Sequence, residues 1–240
     1  MQRCIKFPCS DDFPEAITLL CQKNICQPNQ LDNYGRTSLT FAISNGFSDC
    51  ANALIECGAN CNQGGTGAPP LIAATKQNNT AIMSNLIKHG ANVNITDHEG
   101  KSPLFYAAKS AIGVSLLLEA GASPDIIEKT SGSTPLMVAC VEGFDKVVSV
   151  MVEKAKLINI QDKFGHTALT YSATQGHTVS IRDLLRHGAD VRVQDINGRS
   201  ILALASIHGQ LNSVITLLQE SYLVPFSESF ALSPIFMAIQ

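Results

Sequence analysis

Eight cysteines, six histidines and a run holding three glycines in four residues, GGTG at 64–67, are the parts of this chain from which chemistry could be built. A zinc site needs thiolate or imidazole ligands at close, paired spacings, typically C-x-x-C followed by a second pair. Cys4, Cys9, Cys21, Cys26, Cys50, Cys57, Cys61 and Cys140 form no C-x-x-C, and the tightest clusters, CIKFPC and CGANC, are too widely spaced and have no histidine pair after them. GGTG has the glycines of a phosphate cradle but neither a following Lys-Ser/Thr nor an apolar strand before it. The motifs H-E-x-x-H, G-x-S-x-G and G-x-x-x-x-G-K-[ST] do not occur. His89 and His187 each precede a glycine that can end a helix, where a cation is mildly favoured. His98, His166, His177 and His208 stand in no register with a Ser, Cys or carboxylate that would make a catalytic pair. The expectation is a chain with no catalytic residue, no cofactor and no metal.

Composition points the same way. Hydrophobic residues make up 45% and charged residues 15%, which is globular rather than disordered. A net charge of -3 with no basic run offers no footprint for nucleic acid or an anionic membrane. The N-terminal stretch MQRCIKFPCSDDFPEAITLLCQ lacks a signal-peptide core, and no segment reaches the roughly 18 apolar residues of a membrane helix. An intracellular, cytoplasmic protein without disulfides follows as an expectation, its thiols acting mainly as small hydrophobes.

What must position any functional residue is a repeat. Leu39 in GRTSL, Leu71 in GAPPL, Leu104 in GKSPL, Leu136 in GSTPL, Leu169 in GHTAL, Leu202 in GRSIL and Ile235 in LSPI are separated by 32, 33, 32, 33, 33 and 33 residues. A second motif recurs downstream: LIECGANCN, LIKHGANVN, LLEAGASPD, VEKAKLINI and LLRHGADVR. Each start supplies a turn, a hydroxyl suited to a helix N-cap and, in several units, a Pro at the first helical position. Small residues (Ala42, Ala74, Ala107, Ala108, Ala139, Ala173) let helices approach closely, and Gly46, Gly143, Gly176 and Gly209 end the first helix. A second apolar helix follows, as in VSIRDLLRHG with Val179, Ile181, Leu184 and Leu185, and Gly58, Gly90, Gly121 and Gly188 stop it. A unit this short cannot bury its apolar face alone, so the units must stack.

These residues resemble the ankyrin repeat, whose pattern is D-x-x-G-x-T-P-L-H-x-A-A, an apolar second helix, then L-L-x-x-G-A-D-V-N. The resemblance covers about residues 13 to 240 and implies an all-α solenoid of stacked helix-turn-helix units with β-hairpin-like finger loops, a concave binding face and no catalysis. The units read as a capping partial repeat over 1–30, repeats over 31–63, 64–96, 97–125, 126–161, 162–194 and 195–221, and a partial repeat over 222–240. Three departures stand out. The family's His after the anchor Leu is replaced by Thr40, Ile72, Phe105, Met137, Thr170 and Ala203, which predicts a stack held mainly by apolar contacts, with Thr able to replace part of the lost bonding and Phe105 packing between repeats. The third repeat runs from Leu104 to Gly121 in 17 steps where its neighbours use 19, a loss of about half a turn. The last unit stops inside its first helix, leaving Ile235, Phe236, Met237 and Ile239 in need of cover, so either the chain continues or this end packs unusually. At the other end, DFPEAITLLCQKN reads as a lone capping second helix.

The resemblance implies that partner contacts come from the fingers and the exposed ends of the first helices. It nominates Tyr34 and Arg36; His98, Glu99 and Lys101; Phe164 and His166; and Asn197 and Arg199 on successive fingers. Tyr34 and Phe164 are aromatics beside cations, the composition of interface hot spots. Tyr106 and Tyr171, at the groove edge, read either as packing or as contacts for an inserted side chain. Asn94 matches the spacing of an asparaginyl-hydroxylase acceptor in this family, or is a turn residue satisfying backbone groups. The function expected is a non-enzymatic scaffold or adaptor that binds a protein or peptide partner. The alternative is the recognition arm of a larger protein, such as a ubiquitin-ligase substrate adaptor or the cytosolic domain of a channel or enzyme. No oligomeric state is implied.

Overall fold

A computed structural model describes residues 14–23 and 27–221. The clusters at Cys4 and Cys9 and the apolar run from Ile235 to Ile239 lie outside the described residues. The chain divides into two compact units, Met1–Ala107 with Ser115–Ala122, and Ala108–Val114 with Ser123–Gln240, and each is described in turn.

In the first unit α1 (Pro14–Gln22) packs on α3 (Ser48–Glu56), and α3 packs on α5 (Thr80–Lys88). The first helices form a parallel row: α2 (Ser38–Ser44) against α4 (Pro70–Lys76), and α4 against α6 (Pro103–Ala107). α1 thus joins the row of second helices with no first helix of its own in the described residues. α6 has only five residues, where α2 and α4 have seven, so the short repeat loses its residues from the first helix. α7 (Ala111–Glu119) follows it.

The second unit repeats the plan. The first helices α8 (Pro135–Glu142), α10 (Ala168–Gln175) and α12 (Ile201–Ile207) pack in order, as do the second helices α9 (Asp145–Val152), α11 (Thr178–Arg186) and α13 (Leu211–Ser221). The fold is all-α. Among the described residues the only β pairing is two isolated antiparallel bridges, Leu31 with Thr37 and Gln194 with Ser200, each closing a finger.

Local chemistry explains the elements. Thr37, Thr134, Thr167 and Ser200 each cap a first helix by accepting the backbone N–H three residues on. Thr40 and Thr170 turn their hydroxyls back onto Thr37 and Thr167, so they serve the caps of their own repeats, and Thr37 Oγ1 also reaches the Gln63 carbonyl at the end of its own repeat at 3.3 Å. Ala42, Ala74, Ala139 and Ala173 on the first helices, and Ala108 just past α6, are completely buried, and their lack of bulk lets neighbouring helices approach closely. Leu39, Leu71, Leu104, Leu136 and Leu169 fill the space between helix pairs, each contributing about 1.5–3 kcal/mol by leaving water. Leu202, the sixth anchor, is only half-buried, and Ile201 and Leu204 hold the core of the last described repeat. On α11, Ile181 and Leu184 are buried while Val179 is exposed. After α4 the left-handed residue is Asn78, φ +53°, the non-glycine type that best tolerates that region.

Between repeats an amide ladder joins successive turns. In the first unit Asn62 donates to the Gly90 carbonyl at 3.1 Å and accepts the Asn92 N–H at 2.7 Å. In the second unit Asn159 does the same with Gly188 and Asp190. Asp125, lacking the amide donor, accepts the N–H groups of Lys156 and Leu157.

Candidate functional site: the finger loops and first-helix ends

Each described finger except the one carrying GGTG is an acid-centred turn. In D-x-x-G-x the Asp N–H donates to the carbonyl four residues on, the Gly N–H donates back to the Asp carbonyl, and one carboxylate oxygen accepts two further backbone N–H groups. For Asp97 the Oδ1 acceptor takes Glu99 and Lys101, both at 3.0 Å. Asp32, Asp162 and Asp195 repeat this with the residues two and four positions on. The finger at 128–133 is one residue longer, and Glu128, one methylene longer than Asp, spans it: Oε2 accepts Thr130 N–H at 2.8 Å and Oε1 accepts the N–H and hydroxyl of Ser131. Preorganised turns of this kind present side chains at little entropic cost.

GGTG forms the tip of the second finger. The Thr66 N–H donates to Gly35 O at 2.7 Å and the Gly67 N–H to Gly64 O at 3.2 Å, so these donors are used within the protein rather than for an anion. A Cβ on Gly65 would stand 1.9 Å from Gly35 O, so the close approach of two finger backbones requires glycine there.

In the first unit the nominated residues fall into two groups. Tyr34, 75% exposed, projects from its finger. The Arg36 guanidinium lies 5.0 Å from its ring and 4.9 Å from that of Phe41, and is itself bonded to Asp32 at 2.8 Å. On the next described acid-centred finger His98 is exposed and Glu99 pairs with Lys101 at 2.6 Å, Lys101 lying over the Phe105 ring. Phe105 is half-buried, packed edge-on to Tyr106 with ring centres 6.1 Å apart, so it belongs partly to the finger surface rather than wholly to the interior. The Tyr106 hydroxyl donates to Asp97 Oδ2 at 2.6 Å, and Lys76, from the end of α4, sits 4.3 Å above its ring.

In the second unit Phe164 is 52% exposed, beside His166, whose ring meets Tyr171 edge-on at 5.4 Å. Tyr171 donates to Asp162 Oδ2 at 2.5 Å. Asn197 is exposed at the last described tip, and Arg199 grips Asp195 through Nε and Nη2, both at 2.7 Å. Adjacent fingers are sewn together: Lys163 N–H donates to Ser131 O, its ammonium reaches the carbonyls of Lys129 and Thr130, and Ile196 N–H donates to Phe164 O.

Electrostatics follow from this geometry. Burial and the bond to Asp97 push the Tyr106 hydroxyl above the ordinary tyrosine range, and burial with the bond to Asp162 does the same for Tyr171. Burial disfavours the Asp97 anion, but the bond from Tyr106, the two backbone N–H groups and the charge of Lys76 together outweigh it and lower its pKa. Asp195 is carried to about 2, burial again opposing and the donors of Arg199 and Asn197 prevailing. Burial drives the Cys140 thiol up to about 12, which leaves it protonated and unreactive at neutral pH. Asn94 is exposed in the turn after α5, its carboxamide donating to Gly121 O at 3.3 Å, away from the finger groups.

Sequence reasoning found the finger positions but missed the acids as their organising centres, and it missed Lys76 over Tyr106. The recurring Asp five residues before Thr37, Ser102, Thr167 and Ser200 was the available signal. Among the described residues no group of three or more His, Cys, Asp or Glu could hold a metal ion, and no helix is long and apolar enough to cross a membrane.

The family model for ankyrin repeats (3 copies) matches residues 6–64, 58–127, 113–195 and 136–225, and the chain belongs to the ankyrin repeat family. Members are generally protein-interaction modules and typically not enzymes. Among relatives, Ankyrin repeat and SOCS box protein 16 of Homo sapiens is 30% identical over 64% of this chain and 36% of its own length. Ankyrin repeat protein nuc-2 of Neurospora crassa is 31% identical over 69% of this chain and 16% of its own. SH3 and multiple ankyrin repeat domains protein 2 of Homo sapiens is 28% identical over 60% of this chain and 8% of its own. The chain therefore matches only a minor part of each of these longer proteins.

Proposed function

We propose that this chain is a non-enzymatic interaction scaffold that binds a polypeptide through its finger tips and the exposed ends of its first helices. The observation that carries this reading is the pairing of exposure with rigidity at Tyr34 and Phe164. Both are large aromatics in water, and both sit on turns whose backbone is held by a carboxylate, so little freedom is lost when a partner covers them. The finger side chains are of mixed sign, with Arg36, Lys101 and Arg199 beside Glu99 in sequence register, and suit a partner of mixed composition. To test it, proximity labelling with the whole chain identifies a partner, and capture of that partner is then compared for the parent, Tyr34→Ala and Phe164→Ala. Weaker capture with unchanged melting is expected; unchanged capture by both variants moves the interface off the fingers.

A second reading is favoured by the lengths of the relatives, of which this chain matches 36% or less. On that reading the array is the recognition arm of a larger protein, for example a substrate adaptor or the cytosolic part of an enzyme or channel. Finding the array joined to such a segment in the mature protein supports it, and a mature protein consisting of the array alone removes it.

A further inference from the structure

The outer carboxylate oxygen of each finger Asp needs a donor, and the protein supplies it in two ways. In fingers 32–36 and 195–199 the donor is Arg four residues on: Arg36 reaches Asp32 Oδ2 through Nε at 3.0 Å and Nη2 at 2.8 Å, and Arg199 grips Asp195 in the same way. In fingers 97–101 and 162–166 the donor is a tyrosine nine residues on, from the first helix: Tyr106 and Tyr171. The two never coincide. Where the fourth position is Arg, the helix position holds Phe41 or Leu204; where the helix position is Tyr, the fourth position holds Lys101 or His166. The finger with Gly64 in place of the acid has Ala68 and Ala73 at these places, so with no carboxylate to hold there is no donor either.

We propose that Tyr106 and Tyr171 are positioning residues of the partner-binding face: by holding Asp97 and Asp162 from the helix, they relieve the fourth finger position of that task, and Lys101 and His166 there set what the finger recognises. At Asp97, Asp162 and Asp195 burial of the acid explains why some donor is needed, since an ionised carboxylate oxygen without a donor in a desolvated turn is costly, whereas Asp32 is exposed. Tyr and Arg are alternatives because each places an N–H or O–H on the same oxygen, one from the helix and one from the finger itself. Lys101 instead pairs with Glu99, and His166 lies between Phe164 and Tyr171 with Nε2 buried and outside any hydrogen bond. Their backbone N–H groups serve the inner oxygen of their own Asp. In the Arg-held fingers the guanidinium is committed to the turn, which leaves recognition there to the tip residues, Tyr34 and Asn197.

The proposal rests on the fingers being the binding face, and its test separates the two. Amide hydrogen exchange at Glu99 and Lys101, which needs no partner, is measured in the whole chain for the parent, Tyr106→Phe, and Tyr106→Phe combined with Lys101→Arg, with melting as the control for folding. Loss of the hydroxyl is expected to speed exchange in that finger about tenfold or more, and the added Arg to return it to the parent rate. Partner capture is expected to fall in Tyr106→Phe and to stay low in the double variant, because the turn is restored but the recognising side chain is changed. Tyr171→Phe and its combination with His166→Arg repeat the test at Phe164 and His166. Unchanged exchange in the Tyr→Phe variants, or failure of Arg to restore it, overturns the positioning role. Capture restored together with exchange overturns the role of the fourth position. If Tyr34→Ala and Phe164→Ala also leave capture intact, the binding face is elsewhere and the recognition role falls with it, while the exchange data still decide the positioning role.

Discussion

Asn159 donates its carboxamide N–H to the carbonyl of Gly188 at 3.1 Å, tying the turn of one repeat to the helix end of the next. The same side chain accepts the Asp190 N–H at 2.8 Å, so one residue satisfies two backbone groups of the turn that follows α11. Asn159→Ala removes both bonds at once. It is expected to lower unfolding free energy by about 1–2 kcal/mol, read as a lower urea midpoint with an unchanged slope.

Arg36 and Arg199 make the same bond in different surroundings. The Asp195 side chain is 1% accessible, whereas Asp32 is 37% accessible with Arg36 at 38%. Arg199→Ala strands a buried carboxylate and is expected to cost about 3 kcal/mol. Arg36→Ala breaks a solvated pair and is expected to cost clearly less. Parallel denaturant titrations compare the two; equal losses would mean that burial does not govern the bond.

Gly165 and Gly188 both have left-handed backbones, φ +78° and +90°. A Cβ on Gly188 meets nothing within 4 Å, so Gly188→Ala should cost only the backbone penalty of about 1–2 kcal/mol. On Gly165 it would stand 2.8 Å from the Ile196 nitrogen, where fingers are bonded backbone to backbone. Gly165→Ala should therefore lose a further ~1–3 kcal/mol, and exchange at Ile196 should rise.

Acid should loosen the fingers before the helices melt. Asp195 and Glu128 are both carried to about 2, against an unfolded value near 4. For each, burial favours the neutral form and is outweighed by donors: Arg199 and Asn197 for Asp195, and the Ser131 hydroxyl with the backbone N–H groups of Thr130, Ser131 and Ser133 for Glu128. A depressed pKa adds stability that is complete above the unfolded value and is lost as pH falls through the folded one. Melting temperature should accordingly fall between about pH 4 and about pH 2, and Arg199→Ala, which removes a donor that lowers the Asp195 pKa, should make that fall smaller. A melting temperature flat across that interval would contradict the finger geometry.

Much of this was legible in the chain. The 33-residue period, the hydroxyl caps, the close-packing alanines and five of the six anchor leucines of the described repeats are local patterns, and each stands where its physics requires. The candidate site was legible as a set of positions, because register alone carries Tyr34 and Phe164 to finger tips. It was not legible as chemistry. Tyr106 and Tyr171 read as packing before contacts, and Phe105 as packing between repeats, since the outcome depends on which side chain comes to rest against which.

The amino-acid order by itself determined the repeat, its helices and its turns, because caps, small residues and glycines act over a few bonds. Only the tertiary structure decided that a tyrosine on a helix holds the carboxylate of its finger, that Lys76 from one repeat lies over Tyr106 of the next, and that Asn159 bonds across to Gly188. Those pairings exist only after helix stacking has brought donor and acceptor together and removed the water that would otherwise serve both.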